Sequence, residues 1–417
     1  MPLTNTIPPR RQTRLYLALA LLGALLLPYA SASPVPRWTA TWGSSQLKPS
    51  GTDVLPLNSL ENTSLRQVAH ISIGGSRLRL HLSNAFGQSP LILHSVRVGR
   101  GPDGKQGQVA PGSDTVVRFK GETSVSIPAG AEYTSDPISM SAPALSDVVV
   151  TMLIEKTPET VTFHAGSRAT SFLLRGDHVA DVRFDSPQSF AHWYFLAGLE
   201  VESDADTSAV VTLGDSITDG HGATTDANDR WTDVFASRLA SKSIGVVNQG
   251  IGGNRILHDG LGPSALARFD RDVLGVPGAR SLIVFEGVND LGGLDRVEEH
   301  SQQIHDALVL QLEAALQQMT ERAHAHGIRV YGGTITPYRG SGYYHPSDRS
   351  EADRQSLNQW IRTSHVFDDV IDFDALLRDP AHPDRMAAEY DSGDHLHPGP
   401  AGYKRMGEGI PLSLFKQ

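Results

Sequence analysis

Cysteine is absent from this sequence of 417 residues. Its absence excludes a disulfide scaffold, a thiol nucleophile and thiolate metal ligands, so stability has to come from a packed core. Blocks of lysine and arginine are absent as well. With a formal net charge of −10, the chain is a poor partner for nucleic acids and anionic membranes, because phosphate contacts need clustered cations. The composition, 39% apolar, is that of a globular protein long enough for two domains.

Long hydrophobic runs are also scarce. The one near the N-terminus, Leu15 to Leu27, is shorter than the roughly 20 residues that a membrane-spanning helix needs. Three arginines precede it and a small-residue site, Ala30 to Ala32, follows it. This arrangement predicts a cleaved secretory signal over residues 1–32 rather than a membrane anchor.

Removal of that signal takes away three arginines and no acidic residue, which changes the formal charge to −13. Polar residues follow the arginine pair where a twin-arginine signal turns apolar, so general secretion is the favoured route. We therefore expect a secreted or periplasmic protein with no membrane anchoring in its mature form. The oligomeric state is left open.

Short strand patterns fill the first half of the chain. Leu78, Leu80 and Leu82 alternate with polar residues after a glycine pair, as a half-buried strand requires. Similar runs recur between turn signals as far as about Asp206. The pattern predicts an all-β sandwich or jelly-roll-like domain over residues 34–206.

After Ser208 the pattern changes to apolar strands that alternate with helices, which predicts an α/β domain over residues 208–417 with a parallel sheet covered on both faces. The strand runs are Val210 to Leu213, Gly245 to Val247, Leu282 to Phe285, Ile328 to Tyr331 and Val366 to Phe373. The clearest helical stretches are Trp231 to Ala240, Gln302 to Ala325 and Glu351 to Arg362.

Ser216 follows the first of these strand runs, within Gly214-Asp215-Ser216. A serine on a strand-to-helix turn can expose its hydroxyl while its own amide faces a developing oxyanion. The tripeptide alone is also ordinary turn chemistry. Its position matters more, because ligands of open α/β sheets bind outside the carboxyl ends of the strands.

Asp394 and His397 follow the last strand run, in Asp-His-Leu-His. A serine hydroxyl needs a base to take its proton, and the imidazole needs a carboxylate to fix its tautomer. His397 would be the base and Asp394 its partner. A metal site using His395 and His397 beside Asp394 is the alternative, but a further ligand at recognisable spacing is missing, so we expect no metal.

Two further segments supply candidate oxyanion donors beside the amide of Ser216. The glycine block from Asn248 to Gly253 can bring a backbone N–H close to a substrate carbonyl, with Gly253 as donor and Gly252 as its neighbouring alternative. Asn289 adds a side-chain amide after the third strand run. Each is an ordinary turn when taken singly, and only their combination indicates acyl transfer.

Together the four segments resemble the signature blocks of the SGNH, or GDSL-type, hydrolases. The matching blocks are Gly214 to Ile217, the glycines ending at Gly253, Gly287-x-Asn289-Asp290 and Asp394-x-x-His397. The resemblance implies a three-layer α/β/α flavodoxin-like domain and hydrolysis of carboxylic esters without a cofactor. It implies Ser216, His397 and Asp394 as the triad, and Gly253 and Asn289 as oxyanion donors. Ile217 stands where leucine is commonest, at a packing position.

Further stretches resemble a secreted subgroup whose members are described as polysaccharide acetyl esterases. They are Leu65 to Gln67, Leu82 to Gly87 and Asp226 to Trp231. The resemblance implies an acylated carbohydrate, or another small ester, as substrate. Asp226 with Asp229 could also hold a structural cation, although a solvated loop is the simpler interpretation.

The segment Tyr338 to His345 follows the fourth strand run and could line the mouth of the site. Tyr338 and Tyr343 could stack on sugar rings, and Arg339 could meet a uronate or phosphate. A flexible loop with exposed tyrosines is an equal alternative.

The leading hypothesis is a secreted serine esterase that removes short acyl groups, acetyl above all, from a plant-type polysaccharide or its oligosaccharides. A lipid, aryl or general short-chain carboxylesterase is the first alternative. A non-catalytic carbohydrate-binding protein is the second, and the complete set of nucleophile, base and donors argues against it.

Overall fold

The computed structural model describes residues 1–2, 36–50, 60–102 and 107–415. The predicted signal over residues 1–32 lies outside the described residues apart from its first two positions. Within the described ranges, none of the helices combines the length and the apolar character needed to cross a membrane.

The N-terminal region is built from antiparallel strands, as the sequence predicts. Two sheets dominate it, one with the strand order β1-β13-β3-β7 and a larger one with the order β11-β10-β2-β8-β4-β5, in which β6 also pairs with β4. A short pair, β12 and β9, stands apart. The strands are β1 Arg37–Gly43, β2 Thr63–Ile71, β3 Leu78–Ser83, β4 Leu91–Arg100, β5 Thr115–Val116, β6 Val125–Ile127, β7 Glu132–Thr134, β8 Ser146–Lys156, β9 Phe163–His164, β10 Ser171–Arg175, β11 Gln188–Phe190, β12 Trp193–Tyr194 and β13 Leu196–Ser203.

One apolar core fills the space between the two large sheets. Leu80 of β3 and Leu199 of β13 belong to the same buried cluster as Val96 of β4 and Val150 of β8. In β3 the three leucines are fully buried while Arg79 and His81 are partly exposed, because successive side chains of a strand point to opposite faces. The packing is that of a β-sandwich.

The C-terminal region contains a five-stranded parallel sheet of order β15-β14-β16-β17-β18. In chain order these strands are the second, first, third, fourth and fifth of the region, which is the flavodoxin-like arrangement. The chain order reverses at β14, between β15 and β16. The strands are β14 Ser208–Gly214, β15 Ile244–Gly250, β16 Ala279–Phe285, β17 Arg329–Gly333 and β18 Asp369–Ile371.

Helices cover the sheet in two groups. One group packs together Trp231–Leu239, Phe373–Leu377 and Pro400–Gly409, and the other includes Gln302–Ala325 and Asp348–Thr363. The α-helices are α1 Ser216–Asp219, α2 Trp231–Leu239, α3 Ala265–Phe269, α4 Val288–Leu294, α5 Gln302–Ala325, α6 Asp348–Thr363, α7 Phe373–Leu377 and α8 Pro400–Gly409, with a π-helix at Asp270–Leu274 and 3-10 helices at Ala240–Lys242 and Leu412–Phe415.

The last strand is shorter than the sequence predicts. The apolar run from Val366 to Phe373 contributes only Asp369–Ile371 to the sheet. Asp372 ends the strand because its side chain accepts a hydrogen bond from the amide of Ala375 and caps α7. Phe373 is therefore the first residue of a helix.

Residues from Arg37 to the C-terminus form one compact unit. The sheet type changes between the end of β13 at Ser203 and the start of β14 at Ser208. A hydrogen bond connects the N-terminal region to the α/β region: the hydroxyl of Ser72 accepts from the amide of Val246 at 2.9 Å. The sequence predicts a boundary between two domains at residues 206–208. The division concerns whether the two regions fold independently, and it stays a prediction.

Candidate active site

The end of β14 and the start of α1 position Ser216. Asp215 precedes the helix, and its carboxylate accepts a hydrogen bond of 2.9 Å from the amide of Ile217, which caps the first turn. A side chain at Gly214 would lie 2.5 Å from the carbonyl oxygen of Phe285 on β16, so only glycine fits there. Ser216 thus stands at the carboxyl end of a central strand.

Ser216, His397 and Asp394 form a hydrogen-bonded chain. The Ser216 Oγ lies 2.8 Å from Nε2 of His397, and Nδ1 of His397 lies 2.6 Å from Oδ2 of Asp394. Because an ionised carboxylate only accepts, Nδ1 carries the proton and Nε2 is left to accept from the serine hydroxyl. This is the tautomer that a general base needs.

Asp394 is held as a carboxylate by its surroundings. Its Oδ1 accepts backbone N–H groups from Leu396 at 2.9 Å and from His397 at 2.8 Å. Burial raises its pKa, but the hydrogen bonds from His397 and from these amides outweigh burial and hold the pKa well below its usual range. Asp394 therefore stays charged and keeps the imidazole oriented.

Asn289 lies at the first turn of α4, and its side chain lines the same cleft as Ser216. Its Nδ2 donates to the carbonyl oxygen of Asn254 at 2.7 Å, and its Oδ1 accepts from the hydroxyl of Tyr344 at 2.5 Å. The carbonyl oxygen of Asn254 can only accept, so the amide atom of Asn289 that faces it must be the nitrogen. The atom that accepts from Tyr344 is then the oxygen. Within the part of the chain that the structure describes, the second N–H of Nδ2 has no acceptor and is left for a ligand.

Gly252 and Gly253 also line the cleft, on the loop after β15. Within the described residues, neither backbone N–H donates a hydrogen bond. Gly253 has a φ of +71°, and an added side-chain carbon would meet Leu261 at 2.7 Å, whereas at Gly252 it would meet only Asp219 at 3.6 Å. Both amides therefore stay candidates for the oxyanion hole, and the conformation requires glycine at 253.

The cleft around Ser216 has a volume of about 1060 Å³. Both regions of the chain line it. Leu47, His164 and Arg168 come from the N-terminal region, and Ser216 and His397 come from the α/β region. The site is therefore shared between the two regions, which the sequence does not predict.

The three predicted substrate-binding residues have different environments. Tyr343 lines the cleft with its ring half-exposed, and the guanidinium of Arg296 lies 3.9 Å from the ring centre. Tyr338 is buried within the α/β core, away from the residues that line the cleft. Arg339 forms an ion pair with Asp348 at 2.6 Å. Of the three, the structure brings only Tyr343 to the cleft.

Arg168 and His221 are two cleft residues that the sequence does not single out. The ring centre of His221 lies 4.1 Å from that of His397, and Nη2 of Arg168 lies 3.2 Å from Nδ1 of His221. Burial, His397 and Arg168 all lower the pKa of His221. His221 is thus neutral near neutral pH, with its proton on Nε2. No local pattern marks either residue, since 53 positions separate them.

His164 of β9 contacts the nucleophile helix. Its Nε2 lies 2.9 Å from Oδ1 of Asp219, the last residue of α1, and its Nδ1 lies 2.8 Å from the carbonyl oxygen of Ser45. Both ring nitrogens face acceptors, so His164 carries both protons and forms a buried ion pair with Asp219. Burial lowers the pKa of His164, but the Asp219 carboxylate outweighs burial and the pKa is raised.

A buried arginine, Arg268 of α3, lies beneath the loops of the site. Its guanidinium donates to the carbonyl oxygens of Gly214 at 3.0 Å and Gln249 at 2.6 Å, and to Oδ1 of Asn254 at 2.9 Å. It thereby ties the nucleophile turn to the glycine loop. An arginine inside the otherwise apolar stretch of α3 gives no sequence signal of this role.

Three buried acids surround the same loops. Burial raises the pKa of Asp215 to about 7, and burial together with the charge of Asp215 raises the pKa of Glu286. Burial also raises the pKa of Asp290, whose carboxylate accepts the backbone N–H groups of Ile256 and Leu257. Asp290 therefore fixes the segment that follows the glycine loop.

Among the described residues, His221, Asp394 and His397 are a group whose ligand atoms all lie within 4.8 Å of one another. Two of its members already use these atoms: His397 contacts Ser216 and Asp394 through its two ring nitrogens. His395, the other candidate ligand, contacts Asp391 instead. The arrangement fits proton transfer through His397 better than coordination.

The candidate cation pair has separate partners. The carboxylate of Asp226 accepts hydrogen bonds from the amide and the hydroxyl of Thr170, both at 2.6 Å. Asp229 accepts from the amide of Thr224 at 2.9 Å. Asp226 therefore fastens the loop after α1 to the N-terminal region.

Comparison with known proteins gives a family for the α/β region. Residues 212–405 match the model of the GDSL-like lipase/acylhydrolase family. No protein with a curated description matches the chain.

Solved structures of similar proteins cover about half of the chain. A G-D-S-L family protein from Desulfitobacterium hafniense is 24% identical, with 49% of this chain and 97% of that chain covered and a TM-score of 0.36. A GDSL-like lipase from Bacteroides thetaiotaomicron is 19% identical, with 50% and 88% covered and a TM-score of 0.37. A carbohydrate acetylesterase from Sinorhizobium meliloti is 14% identical, with 50% and 99% covered and a TM-score of 0.37.

The family match contains the strand-end segments from Gly214 to His397 in their order along the chain. We conclude that the protein is an ester hydrolase whose C-terminal α/β region matches the model of the GDSL-like lipase/acylhydrolase family over residues 212–405.

Proposed function

We propose that the protein is a secreted or periplasmic serine esterase that removes short acyl groups, acetyl above all, from carbohydrate. The observation that carries the catalytic part is the chain of hydrogen bonds from Ser216 Oγ through His397 to Asp394, in one cleft. The carbohydrate and acetyl parts are supported by the sequence resemblance and by the half-exposed ring of Tyr343 in the cleft.

The reaction begins with attack on the ester carbonyl carbon by Ser216 Oγ. The hydroxyl proton moves to Nε2 of His397, and Asp394 stabilises the imidazolium that forms. Negative charge develops on the carbonyl oxygen, where the free N–H groups of Gly252 or Gly253 and of Asn289 can receive it.

Collapse of the tetrahedral intermediate breaks the bond to the alcohol oxygen, which takes the proton from Nε2 of His397 and leaves. The acyl group is then held by Ser216. A water molecule gives a proton to His397, attacks the acyl carbon and releases the acid, and His397 returns the proton to Ser216. His397 thus acts in turn as base and acid.

A lipid or aryl esterase is the second candidate function. Leu47, Ile251 and Leu261 line the cleft with apolar surface, and Leu261 is half-exposed. Such a wall would suit a longer acyl chain or an aryl alcohol. Acetylated xylan and pectin, compared with p-nitrophenyl esters of acetate, butyrate and octanoate, distinguish the two functions by which acid is released fastest.

Ser216→Ala is the test of the nucleophile. We expect it to lower kcat by about 10⁴-fold or more on every ester that the wild type hydrolyses, since no other group forms the acyl intermediate. Ser237→Ala, on the exposed face of α2, is the matched control and should keep wild-type turnover. Retained activity in Ser216→Ala, with native circular dichroism, would remove Ser216 from the mechanism.

A further inference from the structure

Arg168 lies on a fixed loop at the wall of the cleft. The loop joins β9 to β10, and its neighbours are anchored: Arg230 donates to the carbonyl of Ser167 at 3.1 Å, and Asp226 binds Thr170. The amide of Asp226 also donates to the carbonyl of Arg168 itself at 2.9 Å. The guanidinium is therefore presented from an ordered backbone.

The backbone of Arg168 is in the left-handed region, with a φ of +46°. This conformation costs a non-glycine residue of order 1 kcal/mol or more, and it persists where the surrounding structure enforces it. Strained residues of this kind cluster at ligand sites, where the strain aims a side chain. Here the side chain is aimed into the cleft that contains Ser216.

The charge of Arg168 has no carboxylate partner within ion-pair distance among the described residues. Arginines elsewhere around the site do have one: Arg230 pairs with Asp233, Arg268 with Asp272 and Arg339 with Asp348. The Nε of Arg168 is buried and makes no hydrogen bond within the described residues. A half-buried guanidinium without a counter-charge is costly, and an anion in the cleft would remove that cost.

Carboxylates near the site are engaged elsewhere. Asp219 is bound by His164, and Asp394 by His397. His221, which contacts Arg168 through Nδ1, presents a neutral N–H at Nε2 as a second donor. Arg168 and His221 together thus offer a positive charge and an additional hydrogen bond to an anionic group.

The position of Arg168 and His221 indicates which part of the substrate they face. The ring of His221 packs against that of His397, with 4.1 Å between their centres. His397 gives its proton to the leaving alcohol in the proposed reaction. Groups that flank this imidazole therefore lie on the side of the alcohol and not on the side of the acyl chain.

We propose that Arg168 and His221 form a subsite for a carboxylate on the alcohol part of the ester, so that the preferred substrates are acyl esters of acidic sugars, such as uronate-bearing oligosaccharides. The inference rests on the proposed function, because it takes the catalytic role of His397 from there. It replaces Arg339, whose charge is already paired, as the residue that meets a uronate.

The test uses two substrates that differ in the charge of the uronate: an O-acetylated galacturonide oligomer and its methyl-esterified, neutral form. For the wild type at low ionic strength, we expect kcat/KM to be about 10-fold higher for the acidic form, through a lower KM. The ratio should shrink at about 0.5 M NaCl because salt screens the attraction.

Arg168→Gln should bring the ratio close to one, and Arg168→Lys should keep part of it, since lysine retains the charge without the planar fork. Arg175→Gln is the matched control. Arg175 lies at the end of β10, seven positions along the chain, and its guanidinium contacts the exposed carbonyl of Glu61 outside the cleft. This variant should show the wild-type ratio.

A wild-type ratio near one, or a ratio unchanged in Arg168→Gln, would overturn the subsite. A second pair of substrates, p-nitrophenyl succinate and p-nitrophenyl propionate, carries the charge on the acyl side. If Arg168 favours the charged substrate only in this second pair, the assignment of the subsite to the alcohol side is wrong.

Failure of the proposed function looks different from failure of the subsite. Loss of all ester turnover, or turnover that Ser216→Ala does not abolish, would contradict the esterase mechanism. Ester turnover that depends on Ser216 but ignores substrate charge contradicts only the subsite. If Arg168→Gln does not fold, the salt dependence of the wild type and the Arg168→Lys ratio decide the question.

Discussion

The orientation of Asn289 depends on two hydrogen bonds of opposite kind, one donated to the carbonyl of Asn254 and one accepted from Tyr344. Tyr344→Phe would leave the buried Oδ1 of Asn289 without a donor and loosen the amide. We expect kcat to fall about 10-fold with little change in KM, against about 100-fold to 1,000-fold for Asn289→Ala. Steady-state kinetics on p-nitrophenyl acetate measure both.

The exposed Tyr133 on β7 provides the control, since Tyr133→Phe removes a hydroxyl far from the cleft and should leave kcat unchanged. The double variant Tyr344→Phe/Asn289→Ala should be no slower than Asn289→Ala alone, because the tyrosine acts through the amide. Additive losses, or full activity in Tyr344→Phe, would contradict this role for Tyr344.

The dependence of kcat/KM on pH is also determined by single residues. The hydrogen bonds from His397 and from the backbone outweigh burial and hold the pKa of Asp394 far below its usual range, so its carboxylate stays charged from about pH 4 to pH 9 and adds no protonation to the acid limb. We expect kcat/KM to fall about tenfold per pH unit along the acid limb, as one protonation requires. A slope of two, or a rate independent of pH, would show that another group controls the reaction.

At the scale of elements, the ion pair of His164 with Asp219 joins β9 to α1. The raised pKa of His164 means that the folded state binds its proton more tightly than the unfolded state. The stabilisation is therefore complete below the ordinary histidine pKa of about 6.5 and is lost as pH rises through the higher folded-state value.

We expect His164→Gln to lower the free energy of unfolding by about 3 kcal/mol at pH 6 and by less at pH 9. Urea titrations of both proteins at the two pH values measure the difference. His324→Gln is the control, because the pair of His324 with Asp368 is exposed and should contribute below about 1 kcal/mol. An effect of His164→Gln that is equal at both pH values would contradict the loss of this ion pair between pH 6 and pH 9.

The elements that carry the family blocks could be predicted because each buried parallel strand is a continuous apolar run. The run at residues 282–285 lies within β16, and the helix predicted at Gln302 to Ala325 has those bounds in the structure. His164 and Arg168 could not be found in this way. Their partners, Asp219 and His221, lie more than 50 positions away in a different sheet region, and no periodicity encodes which loop packs on which helix.

At the scale of the whole molecule, the N-terminal sandwich forms part of the site as well as its support. Ser45, beyond β1, lies 2.6 Å from the carboxylate of Asp272 and 2.8 Å from Nη1 of Arg268, in a buried cluster under the glycine loop. The sequence predicts two domains from a change of pattern near residue 206, and residues from Arg37 onward form one compact unit. The buried polar contacts across the join couple the two regions, and a linear pattern carries no information on such contacts.

This coupling predicts that the two regions unfold together. Trp42 and Trp193 lie in the sandwich, and Trp231 lies in the α/β core. Variants that keep only the sandwich tryptophans report unfolding of the sandwich by fluorescence, and variants that keep only the tryptophan of the α/β core report unfolding of that region. We expect the same urea midpoint for both sets of variants and for loss of esterase activity, because unfolding of the sandwich would leave Asp219 without His164 and would remove the Ser45 hydroxyl from Asp272 and Arg268. Ser45→Ala combined with His164→Gln should separate the midpoints. Two transitions in the wild type, with activity following only the α/β region, would establish the domains as independent folding units.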